Sequence, residues 1–239
     1  EILKYQNGSY TNITTTIRNG FAADEGIVSI VGRNSNWYIA TSKTRFLRWT
    51  GGSSTPFALT LPNALQTNLN TIALGANSYT NTYSNGLRYC RSSIGQPSCN
   101  ISITPIADDQ WVFMSSQSGY HNGLTSVPVA AFKYNGSAFT DITSNIVNAI
   151  GSYPSAINSN GNEAIVVEIG IAGAQSSMAI VSGSGVQKVS APCIQDWPDY
   201  CNALTLYKGF WTGTKWIFFD FGKGKYSVTR TGAVEYLGK

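Results

Sequence analysis

The sequence predicts an all-β chain folded as a β-propeller of five or six four-stranded blades, and three observations carry that prediction. One hairpin recurs at near-constant spacing, a second and more apolar hairpin recurs between its copies, and helical periodicity is almost absent. Four short strands in every 40–50 residues or so, separated by turn signals, is the pattern of a propeller blade.

The first hairpin is plainest in LKYQNGSYTNIT (Leu3 to Thr14) and FKYNGSAFTDIT (Phe132 to Thr143). Aligned on the residue before the turn, its copies centre on Tyr5, Trp49, Tyr89, Tyr134, Val181 and Arg230, at intervals of 44, 40, 45, 47 and 49 residues. The second unit is an apolar strand, a short turn of Gly, Asn or Asp, and a strand that opens on an aromatic residue. It reads VSIVGRNSNWYIA (Val28 to Ala40), ISITPIADDQWVFM (Ile101 to Met114), AINSNGNEAIVVE (Ala156 to Glu168) and LTLYKGFWTGTKWIFF (Leu204 to Phe219), with a weaker copy in TIALGANSYTN (Thr71 to Asn81).

Strands buried on both faces need no polar alternation, so continuous apolar runs such as WIFF belong to the inner hairpins. TRFLRWTG and KYSVTRTG alternate, as outer strands with one wetter face should. A stacked β-sandwich with evenly spaced strands is the competing architecture. SNIVNAIG, Ser144 to Gly151, is the one segment read as a helix. Six outer hairpins meet only five inner ones, and the orphan is the N-terminal copy. The expectation is one propeller domain over residues 1–239, either part of a longer chain or closed by its N-terminal strands, since closure removes exposed edges. The start EILKYQNG has neither the basic nor the apolar region of a signal peptide.

Composition narrows the function. Charged residues make up 12% of the 239 residues, about half the usual share, so hydroxyls, amides and aromatics dominate the surface. The net charge of +4 is dispersed without a basic run, which argues against nucleic acid. No apolar stretch approaches the ~18 residues of a membrane span, so no membrane insertion is expected. Four cysteines form two close pairs, Cys90 with Cys99 and Cys193 with Cys201. Neither pair has zinc-knuckle spacing and the chain holds one histidine, so no metal or cofactor is expected. Two local disulfides in an oxidising compartment are the simplest pairing, and buried free thiols are the alternative.

Most carboxylates fall in turn positions, where Asp is wanted for backbone reasons. Glu168 and Asp220 instead follow apolar inner strands and form the best acid–base pair on offer. His121 lies in a polar loop, SSQSGYHNGLTS, with no nucleophile elbow around it. The Asp-box of sialidase-like propellers is absent from the sequence. Sequons at Asn7, Asn12, Asn100 and Asn135 are no more than chance supplies; Asn7 and Asn135 sit in hairpin turns, where Asn-Gly favours positive φ.

Propeller connectivity places the second-to-third-strand loops and the blade-to-blade loops on one face. The long loop at 115–127 and the segment CIQDWPDYC therefore share that face. Tyr120, His121 and Asn122 in the first, with Asp196, Trp197, Asp199 and Tyr200 in the second, make an aromatic platform with polar acceptors, suited to a ligand such as a sugar. A Trp197 that merely plugs its loop is the structural alternative. The Cys90 to Cys99 turn falls at the rim of the opposite face, where a disulfide would staple a weak blade.

The WYIA strand followed by the FLRWTG hairpin resembles propeller repeats of secreted and viral proteins from thermophilic archaea, most closely the receptor-binding part of the tail-fibre protein of spindle-shaped archaeal viruses. The likeness spans most of the chain as repeat texture and includes no site motif, so it transfers no binding residue. It implies a non-catalytic recognition domain, extracellular or on a virion surface, whose partner is a host-cell receptor or glycan. An extracellular carbohydrate-active enzyme using Glu168 and Asp220, and a structural surface-layer module, are the alternatives.

Overall fold

A computed structural model describes residues 1–41, 43, 45–52, 54–73, 78–83, 86–93, 96–97, 99–117, 127–154, 156–168, 177–189, 194–197, 200–202, 209–220, 224–231 and 233–238. The chain divides into two compact units, Glu1–Leu61 and Pro62–Lys239. Its architecture is all-β, built from antiparallel sheets with three helices among the described residues.

In the first unit, β1 (Leu3–Gln6) and β2 (Ser9–Asn12) form a two-stranded hairpin, followed by the short α1 (Thr14–Arg18). The two-residue turn takes Asn7 at φ 52° and Gly8 at φ 79°, both positive, as a twist-compatible hairpin turn requires. β3 (Ile27–Arg33), β4 (Asn36–Thr41), β5 (Phe46–Trp49) and β6 (Phe57–Ala58) then run as a four-stranded meander, with Val31 opposite Tyr38 and Trp37 opposite Trp49. Ile39, Leu47 and Trp49 on this sheet pack with Ile17 of α1, which supplies the unit with its core.

The second unit opens with α2 (Asn63–Ala73), whose Leu65 and Leu69 are buried one helical turn apart. β7 (Ser78–Tyr83), β8 (Gly86–Ser93), β9 (Gln96–Pro97), β10 (Cys99–Ala107), β11 (Gln110–Gln117), β12 (Val127–Tyr134) and β13 (Phe139–Asp141) make a seven-stranded sheet in the order β13-β12-β11-β10-β8-β7, with β9 beside β8. After α3 (Thr143–Ile150), β14 (Ala156–Ser159), β15 (Glu163–Glu168), β16 (Ser177–Ser182) and β17 (Gly185–Val189) form a four-stranded sheet. β18 (Ile194–Trp197) pairs β19 (Tyr200–Asn202) alone. β20 (Gly209–Trp211), β21 (Lys215–Asp220), β22 (Gly224–Thr229) and β23 (Val234–Gly238) complete the last four-stranded sheet.

β15 shows why its sequence is uniformly apolar. Ala164 and Val166 pack against the seven-stranded sheet and α3, while Ile165 and Val167 meet Trp216, Phe218, Tyr226 and Val228 of the last sheet. Successive sheets thus stack through opposite faces of one strand, and each fully buried aliphatic side chain adds about 1.5–3 kcal/mol over leaving it exposed. The first strands are neighbours too, with β14 touching both β10 and β20.

Four of the strand sets, 27–58, 101–141, 156–189 and 209–238, match the predicted inner-plus-outer pairs of hairpins. The predicted inner hairpin at Thr71 to Asn81 does not form. Its start ends helix α2, and its later residues, as β7, pair with β8 through Asn81 opposite Arg88. β8 then joins β10, with Ser102 opposite Arg88, so this stretch extends a neighbouring sheet and makes no blade of its own. α1 and α2 are likewise additional to the one helix expected; α1 holds a single apolar residue, Ile17, and α2 spaces its apolar residues among Asn, Gln and Thr, so neither carries a strong helical period.

Candidate functional site

The connection 118–126 leaves β11, and the connection 190–208 leaves β17, each at the end of its own sheet opposite the β10–β11 or β14–β15 turn. Glu168 closes β15 and Asp220 closes β21 at that same end of their sheets. Tyr120, His121, Asn122, Asp199 and Cys193 lie outside the described residues. Asp196 and Trp197 fall on β18 and Tyr200 on β19, with Trp197 directly across from Tyr200, so the expected loop is a hairpin in its own right. Cys201 follows on β19, Cys90 stands in β8 and Cys99 opens β10; the sulfur positions lie outside the described residues, and the pairing of the four cysteines stays an expectation.

Glu168 is half-buried, and its Oε1 accepts the Tyr153 backbone N–H at 3.1 Å. Burial raises its pKa above the ordinary carboxylate range, against the opposing pull of that hydrogen bond. Gly151, at φ 104°, makes the carboxylate's place possible, since a Cβ there would stand 2.2 Å from Oε2. The described contacts of Glu168 are therefore with the segment after α3. The side chain of Asp220 lies outside what is described, and its pairing with Glu168 stays an expectation.

Two carboxylates expected as turn residues are instead buried ion-pair partners. Glu25 has its carboxylate fully covered and takes Arg45 Nε at 2.9 Å together with Arg45 Nη2. The Arg45 hydrogen bonds, with further help from Thr41 and from the Ala22 N–H, hold its pKa down at about 2 although burial opposes this. Arg45 also donates to the Gly20 carbonyl at 3.3 Å, which ties the loop after α1 to the start of β5. Glu163, at the start of β15, accepts Arg230 Nε at 3.1 Å and Asn160 Nδ2 at 3.2 Å, and the Arg230 guanidinium lies 5.1 Å from the Trp211 ring. That cluster joins two sheets. Sequence reading missed both because each needs a cation at least 20 residues away.

The Asn135 turn also corrects an expectation. Asn135 is not among the residues at positive φ; Gly136, at φ 91°, takes that role. Asn135 Oδ1 instead accepts the Ser137 and Ala138 N–H groups at 3.0 and 2.9 Å, closing the loop through its side chain.

A surface feature that composition did not single out is the pair Phe210 and Phe219, 50% and 51% exposed, stacked at 5.6 Å and 22° on β20 and β21. Ser102 Oγ and Thr104 Oγ1 of β10 and Asn158 Nδ2 of β14 are buried without a hydrogen-bond partner among the described residues. Among those residues, too, no group of three His, Cys, Asp or Glu could hold a metal ion, and no helix is long and apolar enough to cross a membrane.

No protein-family model matches the sequence, and no curated protein is similar to it. Among solved structures, the chain is similar to the extracellular domain of the putative one-component system BT4673 from B. thetaiotaomicron, with 9% identity, a TM-score of 0.38, and coverage of 90% of this chain and 28% of that one. It also resembles the computationally designed Ika8 protein, with 7% identity, a TM-score of 0.29, and coverage of 86% and 71%. The chain therefore spans less than a third of the first of these. Likenesses this weak assign neither family nor function.

Proposed function

We propose that this chain is a β-propeller recognition domain of five or six four-stranded blades, displayed outside the cell or on a virion surface, which binds a host-cell receptor or glycan without altering it. The repeat texture it shares with archaeal viral attachment proteins supplies the class of partner. One observation favours binding over catalysis: most of the carboxylates whose contacts are described serve structure. The buried Glu25 and Glu163 pair with Arg45 and Arg230, Asp24 and Glu235 pair with Lys43 and Lys215, Asp141 and Glu168 accept backbone N–H groups, and Glu1 accepts Asn12. Hydrolysis of a glycoside needs two carboxyl groups converging on one bond. The exposed Phe210 and Phe219, stacked on each other, suit the apolar faces of a sugar or a protein surface, and Trp197 lies across from Tyr200 in the backbone register of a second aromatic hairpin.

The competing reading, a carbohydrate-active enzyme, rests on Glu168, whose raised pKa moves it toward the range of a general acid. One experiment separates the two. The chain is incubated with host-cell envelopes and with intact envelope glycans, and both retention and product release are followed. Saturable retention without product, weakened at least tenfold by Trp197→Ala and Tyr120→Ala, is the expected result. Product release that disappears in Glu168→Gln would establish the enzyme, and neither retention nor release would leave a structural surface-layer module.

A further inference from the structure

The two plainest copies of the repeated hairpin superpose residue for residue without a gap. In the first, Leu3 lies opposite Asn12, Lys4 opposite Thr11 and Tyr5 opposite Tyr10; in the second, Phe132 lies opposite Asp141, Lys133 opposite Thr140 and Tyr134 opposite Phe139. Even the rings agree, with centroids 4.9 Å apart for Tyr5 and Tyr10 and 4.4 Å for Tyr134 and Phe139, tilted in both cases. The second copy has a further neighbour. β11 pairs along β12, setting Phe113 opposite Phe132 and Trp111 opposite Tyr134, and Phe113 meets Tyr134 and Phe139 edge-on at 5.7 and 5.2 Å.

At the first copy that place is open among the described residues, because β1 pairs only β2. Leu3, Tyr5 and Tyr10 are 52%, 63% and 72% exposed. Gln6 and Ser9 flank the two-residue turn as a hydrogen-bonded pair, so by the alternation of an antiparallel ladder the backbone groups of Leu3 and Tyr5 point away from β2 toward the open edge. The charge on β1, Lys4, does not block the edge. Its equivalent, Lys133, sits opposite Val112 of the added strand and directs its ammonium to the Gly183 carbonyl at 3.0 Å.

We infer that β1 is a strand-addition site, and that its occupant is an extended segment of another polypeptide with the chemistry of Gln110–Ser115: apolar, free of acids and proline, with aromatics at alternate positions. Addition is antiparallel, and one aromatic of the segment faces Leu3 and rests edge-on against the Tyr5 and Tyr10 rings. Main-chain hydrogen bonds provide the affinity and the aromatic provides the register. A second copy of this chain fits less well, since antiparallel pairing of β1 with itself through the outward-facing Leu3 and Tyr5, one opposite the other, sets Lys4 opposite Lys4.

The test uses the whole chain and a fluorescein-labelled peptide QWVFMSS, residues 110–116, carrying appended lysines for solubility. Anisotropy titration is expected to show saturable binding, weakened at least tenfold by the double change Tyr5→Ala and Tyr10→Ala, and abolished when the peptide amides facing β1 are N-methylated. These tyrosines are exposed, so the variant keeps its fold, and a circular dichroism spectrum checks that it does. Absence of binding overturns the inference. So does binding that survives the double change, as exchange of the peptide for β11 would, and so does self-association of the chain that the double change removes while the peptide stays unbound.

Discussion

The hairpins β1–β2 and β12–β13 are the same device in two settings. Both end in Asx-Ile-Thr leading into a helix, and both use it identically. The Asn12 or Asp141 carboxamide or carboxylate oxygen accepts the following Thr N–H at 3.0 or 2.7 Å; the Thr hydroxyl accepts the Ile2 or Ala131 N–H at 2.8 or 3.0 Å; and Ile13 or Ile142 donates its N–H back to the same residue's carbonyl. A buried isoleucine, Ile17 or Ile146, then anchors each helix. The strands themselves differ sharply. Tyr134 is 5% exposed beneath Phe113, whereas the equivalent Tyr5 is open to solvent. A hairpin's sequence thus specifies its pairing and its cap, while its burial is set by whether another strand lies alongside.

Truncation should separate the two settings most clearly. Tyr134→Ala is expected to cost about 3–5 kcal/mol in urea denaturation, and Tyr5→Ala less than about 0.5 kcal/mol. Equal losses would mean that β1 is already covered in solution. One turn further along, the difference should vanish. Ile17→Ala and Ile146→Ala should each cost about 2–5 kcal/mol, because both side chains are fully buried.

Acid should then distinguish the unit that holds β1–β2 from the unit that holds β12–β13. Glu25, in the first, has a folded pKa of about 2 against an ordinary 4.5, so its ion pair with Arg45 contributes fully above the ordinary value and is lost as pH falls through about 2. The loss is on the order of 2–3 kcal/mol, and Glu25→Gln should flatten that part of a stability-versus-pH curve. Glu168, in the second, acts with the opposite sign. Its raised pKa means that the folded chain binds the proton more tightly than the unfolded one, so its contribution is present at low pH and is lost as pH rises from the ordinary value through the raised one. Glu168→Gln should remove that decline. The smallest effect tests the shared cap: Thr14→Val and Thr143→Val should each cost about 1 kcal/mol, read by amide exchange at Ile2 and Ala131.

Much of this architecture was legible from short-range pattern. The inner strand at 163–168 reads apolar at consecutive positions because both of its faces are covered, and the Asn7-Gly8 turn announces its hairpin through the φ it must adopt. Leu65 and Leu69, buried one turn apart on α2, are the helical signal that the sequence reading missed. The candidate site was less accessible. Trp197 and Tyr200 lie opposite each other because two residues separate them and a turn brings them across, and their part in a binding face stays an expectation. Glu25 and Glu163 were not recognised as core ion-pair members, because nothing near them in sequence marks Arg45 or Arg230 as a partner.

By itself, the sequence determined the local grammar of this chain: which residues extend, where they turn, and how Asx-Ile-Thr starts a helix, all of which depend on backbone geometry and hydrogen bonds within a few residues. Only the tertiary structure decided which copy of the hairpin is buried, that β8 joins β10, and that Glu163 meets Arg230 beside Trp211. Those outcomes depend on which surfaces meet, and the pattern that the two hairpins share carries no information about their different neighbours.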